Sequence, residues 1–236
     1  MINIQTYTST PKRIWITILF LEIIYVIVAR TIEHFYSVYN FEAEIYRSIN
    51  RIVIFTITYI IFKDFIFKNK PNYTSMSSFA FMFAILIFLL VPLLEGYMGE
   101  LEQSFKIFFG ITSIFVALHE EIIYRGIVQR LLLERFSTLK AILITSLIFT
   151  AYHIGSLDFY INLYIQVFLA SVILGIIYIK INSFGLIVFL HALYDFIPSL
   201  TPIDTSGPIV TYQEATYIMI SSLIILLIWY KNSRNI

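Results

Sequence analysis

Eight apolar runs, each bounded by charged or turn-forming residues, follow one another along this 236-residue chain. They lie at roughly Ile14 to Ala29, Ile52 to Phe67, Ser77 to Leu94, Phe105 to Leu132, Lys140 to Ile154, Phe159 to Ile179, Phe184 to Ile197 and Tyr212 to Tyr230. A helix rising about 1.5 Å per residue needs about 20 residues to cross ~30 Å of hydrocarbon. Several runs are shorter than this, so tilt or burial inside a bundle is expected. Hydrophobic residues make up 59% of the chain, charged residues 13%, and the mean hydropathy is +0.84. No soluble domain of this length carries such a balance, and the fold class that follows is all-α, a polytopic membrane helical bundle of about eight transmembrane helices. Its first partner is the lipid bilayer. A net charge of +1 without clustered cations excludes nucleic acid as a partner. The absence of cysteine excludes disulfides, thiolate metal sites and a cysteine nucleophile.

The charges between runs sort by side, as the positive-inside rule requires. With the N-terminus inside, the inner side holds Lys12, Arg13, Lys63, Lys68, Lys70, Arg125, Arg130, Arg135, Lys140, Lys180, Lys231 and Arg234, twelve of the 16 cations. Arg30, Arg47, Arg51 and Lys106 are outside, together with Glu33, Glu42, Glu44, Glu95, Glu100, Glu102, Asp158, Asp204 and Glu214. The expectation is a multi-pass cell-membrane protein with both termini cytoplasmic. The first run lacks a small-x-small cleavage pattern before Arg30 and reads as a retained anchor. No repeat or linker divides the chain, so residues 1–236 read as a single membrane domain. The long outer segment Thr31 to Asn50, aromatic and acidic, predicts a short helix lying at the interface, with His34 as an interfacial polar residue.

Within this apolar frame the ionisable residues cluster. The stretch "ALHEEIIYRGIVQ" places His119, Glu120, Glu121 and Arg125 in one run, while "FTAYH" places His153 and "HALYD" places His191 and Asp195 in two others. Such residues inside spans face a bundle interior or a wet cavity. Glu121 and Arg125 are four apart and share a helical face, so they predict a buried ion pair that leaves Glu120 free to point elsewhere. His191 and Asp195 have the same spacing, which suits an aspartate that orients an imidazole or stands beside it as a second ligand or donor. An antiparallel hairpin about Phe136 and Ser137 sets Glu120 and His153 at one depth, both about 20 Å above the inner edge. His119 reads as a bystander at the cavity wall, Phe149 as core packing, and Glu22, alone in the first run, carries no assignment. A carboxylate, two imidazoles and a further acid in a low-dielectric cavity are parts for activating water, which makes hydrolysis the natural chemistry. The chain has no G-x-S-x-G turn and "HEEII" lacks the second histidine of H-E-x-x-H, so serine-hydrolase and zincin readings are poor.

Three motifs in this order resemble those of the CPBP intramembrane proteases, also called the CAAX protease and bacteriocin-processing or ABI family. "EEIIYRG" fits E-E-x-x-x-R, "FTAYH" fits F-x-x-x-H and "HALYD" fits H-x-x-x-N/D, over a core catalytic region of residues 105–197. The resemblance implies an intramembrane endopeptidase acting on a membrane-associated or hydrophobic peptide. It implies Glu120 as general base, His153 as a group that holds and activates the water, Glu121 and Arg125 as structural support, and His191 with its partner as stabilisers of the oxyanion. Asp195 stands where the eukaryotic members have asparagine; an ionised aspartate has no proton to donate, so orienting His191 or helping to bind a metal suits it better. Glu120, His153 and His191 could supply three ligands to a catalytic Zn²⁺ with an open fourth position, or act without a metal. Among bacterial members the resemblance points to bacteriocin self-immunity or peptide-signal maturation. The alternative is a non-enzymatic scaffold or immunity protein of the same fold. An ion or proton carrier lacks the inverted repeat that such a function needs.

Overall fold

The computed structural model describes residues 11–36, 40–67, 71–73, 76, 78–95, 101–154, 160–200 and 209–232. Among these the chain is wholly helical. In order the helices are α1 (Pro11–Phe35), α2 (Phe41–Ile66), α3 (Phe79–Glu95), α4 (Gln103–Leu133), α5 (Thr138–Tyr152), α6 (Ile161–Ile181), α7 (Phe184–Phe196, extended by a 3₁₀ turn to Leu200) and α8 (Tyr212–Asn232). The count of helices agrees with the expected eight. By length and apolar composition α1, α4, α6 and α8 can each cross a bilayer, whereas α3, α5 and the α7 segment are shorter apolar helices. The protein is a multi-pass membrane protein. Lys68, Lys70, Glu100, Asp158, Asp204 and Arg234, used above to assign sides, fall outside the described residues.

The segment Thr31 to Asn50 corrects one expectation, since no separate interfacial helix forms in it. Thr31 to Phe35 continue α1, and Asn40 starts α2 by accepting hydrogen bonds from the Glu42 and Ala43 amides at 2.8 and 3.3 Å. Of the segment's acidic residues Glu42 stays exposed, whereas Glu44 turns inward. Glu44 is fully buried, bound by Arg47 and Arg51 and by the Thr112 hydroxyl of α4, so α2 needs its polar end for packing. His34 is exposed beside Phe35, as an interfacial residue would be.

The α4 helix is the axis of the bundle, packed by α2 on one side and α7 on another. Two apolar clusters flank it. One joins α1, α2 and α4 with Ala141 and Phe149 of α5, and the other joins α3, α6 and α8 with Ile187 and Leu190 of α7. Since lipid is as apolar as leucine, close approach and hydrogen bonds hold such helices together. Gly110 is a case of the first: a Cβ there would lie 2.5 Å from the Ser199 Oγ and 2.8 Å from the Phe196 ring. Gly175 of α6 is another, where the Gln129 side chain of α4 lies against the glycine and donates to its carbonyl at 3.1 Å. Ser222 of α8 donates to the Ala84 carbonyl of α3 at 2.7 Å, and Ser113 of α4 to the Ala192 carbonyl of α7 at 3.0 Å. Asn182, with φ 52°, closes α6 in the left-handed conformation, and Ser183 caps α7.

Burial is uneven. Of its most apolar span, α6 buries 61% and α1 only 17%, so α1 is a peripheral helix whose outer face, including Leu19, Phe20 and Ile27, meets lipid.

Candidate active site

The helix that carries "HEEIIYRG" changes its winding inside the motif. From Tyr124 to Gln129 it forms a π-helical turn, all six residues of which are buried. Such single turns interrupt the i→i−4 ladder and recur at functional sites. Here the turn begins three residues after Glu121 and contains Arg125, so the ion pair between them bridges a discontinuity in the backbone.

Glu121 and Arg125 form the pair predicted from their spacing, with Arg125 Nε 3.2 Å from Glu121 Oε2 and both side chains fully buried. Arg125 is further fixed by Ser171 of α6, whose carbonyl and hydroxyl accept from its Nη2 at 3.2 and 3.1 Å, and its guanidinium lies 5.0 Å from the centre of the Phe149 ring. Phe149 is core, as expected, but it also floors the cationic group.

The second oxygen of Glu121 has a use that spacing alone did not suggest. Its Oε1 accepts from His191 Nδ1 at 2.7 Å, across from α4 to α7. A carboxylate can only accept, so Nδ1 carries the proton and the ring is fixed with Nε2 turned the other way. Nε2 then faces two more acids, Asp195 Oδ2 at 3.4 Å and Glu120 Oε2 at 3.7 Å. The sequence reading gave the orienting role to Asp195. The structure gives the shorter contact to Glu121, and this corrects the view of Glu121 as a partner for Arg125 alone. Asp195 lies on the Nε2 side, half exposed beside Glu120.

His153 follows the last residue of α5. Its Nδ1 donates to the Phe149 carbonyl at 2.9 Å, which leaves Nε2 as the basic nitrogen. Its ring packs 4.6 Å from that of Phe149, which in turn lies 6.3 Å from His191. No hydrogen bond or ion pair joins His153 to Glu120 among the described residues. The expected approach of the two is not made through a direct bond, and the direction of His153 is set by its bond to its own helix.

This geometry bears on the expected metal. Among the described residues no group of three or more histidines and acids is arranged to hold an ion. The Nδ1 bonds of His191 and His153 leave both Nε2 atoms open, but these do not converge with Glu120 on one point. The set as placed does not fit a three-ligand Zn²⁺ site, and no step below passes through one.

Two residues given no role by the sequence reading meet beside the site. His119 Nε2 lies 3.0 Å from Glu22 Oε1 of α1, and the Tyr25 ring lies over the His119 ring with centroids 4.1 Å apart. The one available signal was Glu22 itself, a carboxylate in the middle of an apolar run.

Residues 102–197 match the family model for Type II CAAX prenyl endopeptidase Rce1-like. That segment is a CAAX protease (CPBP) family domain. It runs from the start of α4 to the start of the 3₁₀ turn after α7, somewhat less than half of the chain, and contains all three motifs. No curated protein and no solved structure matches the chain. The Rce1-like domain belongs to a protease family, and it sits here in a bundle of apolar helices, the setting of an intramembrane CAAX-type protease.

Proposed function

We propose that this chain is an intramembrane endopeptidase that hydrolyses a peptide bond in a hydrophobic or membrane-associated peptide, with Glu120 as general base. The observation that carries the reading is the imidazole of His191, clamped at Nδ1 by Glu121 and presenting Nε2 to Glu120 and Asp195. Glu120 makes no hydrogen bond among the described residues, so its carboxylate is available to water. A water bound to Glu120 and close to His191 Nε2 loses a proton to the carboxylate as it attacks the scissile carbonyl. The same carboxyl, now protonated, delivers that proton to the leaving amine, so it returns to its starting state. His191, when doubly protonated, offers its Nε2–H to the oxyanion that develops on the carbonyl. His153, whose Nδ1 is tied to its own helix, has no part in holding that water, and Asp195 holds the Nε2 side of His191. Arg125 acts through Glu121 and touches no reacting atom.

The test uses purified protein and a quenched fluorescent peptide ending in a prenylated cysteine and three further residues, the probe suggested by the family description. Cleavage by the native chain and its loss in Glu120→Gln, at equal folded protein, is the expected result. A Glu120→Gln protein that cleaves at the native rate would overturn the assignment, and a native chain that binds but never cleaves would point to the scaffold.

We further propose that both termini face the cytoplasm, from the distribution of cations. Reporter fusions after Lys70 and Lys180 should report inside, and those after Glu100 and Asp204 outside. An inside signal at either acidic position contradicts the orientation.

A further inference from the structure

Glu22 sits in the peripheral helix, where a carboxylate among Leu21, Ile23 and Ile24 is costly unless it is used. Its partner is His119, the residue directly before Glu120, at 3.0 Å. His119 is 1% exposed and the Glu22 side chain 15%. Tyr25, one turn beyond Glu22, covers the same imidazole, and its own carbonyl accepts from Asn50 Nδ2 of α2 at 3.1 Å. The Arg51 guanidinium, held by Glu44 at 2.9 Å, faces the Tyr25 hydroxyl. Glu22 and Tyr25 thus join α1 and α2 to α4 at the very turn that bears the proposed base. Tyr124 and Tyr152 lie within electrostatic reach of both Glu22 and Glu120, so the two carboxylates share one neighbourhood.

We propose that Glu22 and His119 are a positioning pair for the hydrolytic step: by gripping the His119 ring, α1 fixes the rotation of the α4 turn that aims Glu120 at His191. The inference rests on Glu120 being the base. Adjacent residues on a helix diverge by about 100°, so a fixed direction for His119 fixes that of Glu120. The grip is needed because the π turn begins within four residues, where the regular ladder that would otherwise hold this rotation is interrupted. Glu120 already stands 3.7 Å from His191 Nε2, and a misplacement of about 1 Å at a reacting group slows catalysis on the order of 10²-fold. An interhelical polar contact that served only to hold α1 in the bundle would act on folding and leave turnover per folded molecule alone.

The experiment measures kcat and KM on the prenylated fluorescent peptide, with thermal unfolding in the same detergent, for Glu22→Leu, Glu22→Gln, His119→Leu and the double leucine variant. Leucine removes the grip and suits an apolar helix; glutamine keeps an oxygen that accepts from His119 Nε2. We expect Glu22→Leu and His119→Leu each to lower kcat about 10- to 100-fold with KM within about threefold of the native value, the double variant to be no slower than either single, and Glu22→Gln to recover most of the rate. Should a leucine variant fail to fold, His119→Gln beside Glu22→Gln carries the same comparison, the first slow and the second near native. Native kcat in either folded leucine variant, additive losses in the double, or a fall in thermal stability without a fall in kcat would each overturn the proposal. Failure of the underlying reading shows elsewhere, in a Glu120→Gln protein that still cleaves.

Discussion

Among the described residues, the buried charged clusters around Glu44 and around His191 are built on opposite plans. At the start of α2, Glu44 lies between Arg47 and Arg51, and both of its oxygens are engaged: Oε2 by Arg47 at 2.9 Å, Oε1 by Arg51 and by Thr112 at 2.9 Å each, with Ser48 at 3.4 Å. Around α4 and α7, three acids, Glu120, Glu121 and Asp195, surround one arginine and one imidazole. There Arg125 Nη1 is buried without a hydrogen-bond partner, and Glu120 meets His191 only at 3.7 Å. A saturated acid is held in one state and contributes to structure. An acid short of partners in a low-dielectric interior retains basicity and room for a water, which is what hydrolysis needs. The difference in saturation, more than the presence of charge, separates the two sites.

The sharpest way to break that comparison is to neutralise one acid in each cluster. Glu120→Gln should lower kcat by about 10²–10⁴-fold while leaving folded yield and thermal stability close to native, since no hydrogen bond is lost. Glu44→Gln should do the reverse, lowering folded protein because two guanidinium groups lose their anion, with turnover per folded molecule retained. Activity and unfolding measured on both purified variants decide the matter. Comparable loss of activity in the two would mean that saturation does not mark function.

Arg125→Ala tests the member of the proposed catalytic cluster that behaves like the Glu44 site. It leaves Glu121 buried without its cation, at a cost of about 3–5 kcal/mol by analogy with buried pairs in soluble cores, so folded yield should drop and unfolding should move to lower temperature. The surviving fraction should also be slow, because Glu121 then holds His191 less firmly. A stable, fully active Arg125→Ala protein would remove this residue from both roles.

These outcomes bear on what the sequence could and could not disclose. The pairing of Glu121 with Arg125 was legible because i to i+4 spacing fixes it within one helix, whatever the tertiary fold. Residue counts along a hairpin predict a common depth for Glu120 and His153 but say nothing of contact between them. Contacts between helices were not legible, because they depend on how each helix is rotated, and an apolar helix in lipid has no clear hydrophobic face to report its rotation. Hence the Glu121 to His191 bond, the Glu22 to His119 pair and the failure of Glu120, His153 and His191 to converge on one ion all required coordinates. The π turn after Ile123 was hidden for a related reason, since no residue type specifies it. The segment from Thr31 to Asn50 was misread because amphipathic character suggests an interface equally well when the polar side is a buried ion network.

Asp195 gives a smaller effect that separates its two possible uses within the looser cluster. Its carboxylate lies 3.4 Å from His191 Nε2 while Glu121 holds Nδ1 at 2.7 Å, so the ring keeps its orientation without it. Asp195→Asn should therefore retain activity within about tenfold, whereas His191→Ala, which deletes the group offered to the oxyanion, should lose on the order of 10²-fold or more. If Asp195→Asn is as slow as His191→Ala, the charge of Asp195 takes part in the chemistry directly.

The smallest effect comes from two serines that make the same kind of bond at different distances from the site. Ser222 donates to the Ala84 carbonyl, joining α8 to α3, and Ser113 donates to the Ala192 carbonyl, joining α4 to α7 beside His191. Interhelical hydrogen bonds in membranes average about 0.6 kcal/mol, so Ser222→Ala and Ser113→Ala should lower stability by similarly small amounts. Their effects on turnover should differ. The Ser113 bond fixes the separation of the two helices that carry Glu120 and His191, and its loss lets that separation vary by a fraction of an ångström, enough to reduce kcat a few-fold. Ser222 secures helices that contribute no residue to the site, and kcat should not change. Equal kcat values for the two alanine variants, at matched stability, would show that the alignment of α4 with α7 does not depend on this bond and that the Glu121 to His191 contact maintains it alone.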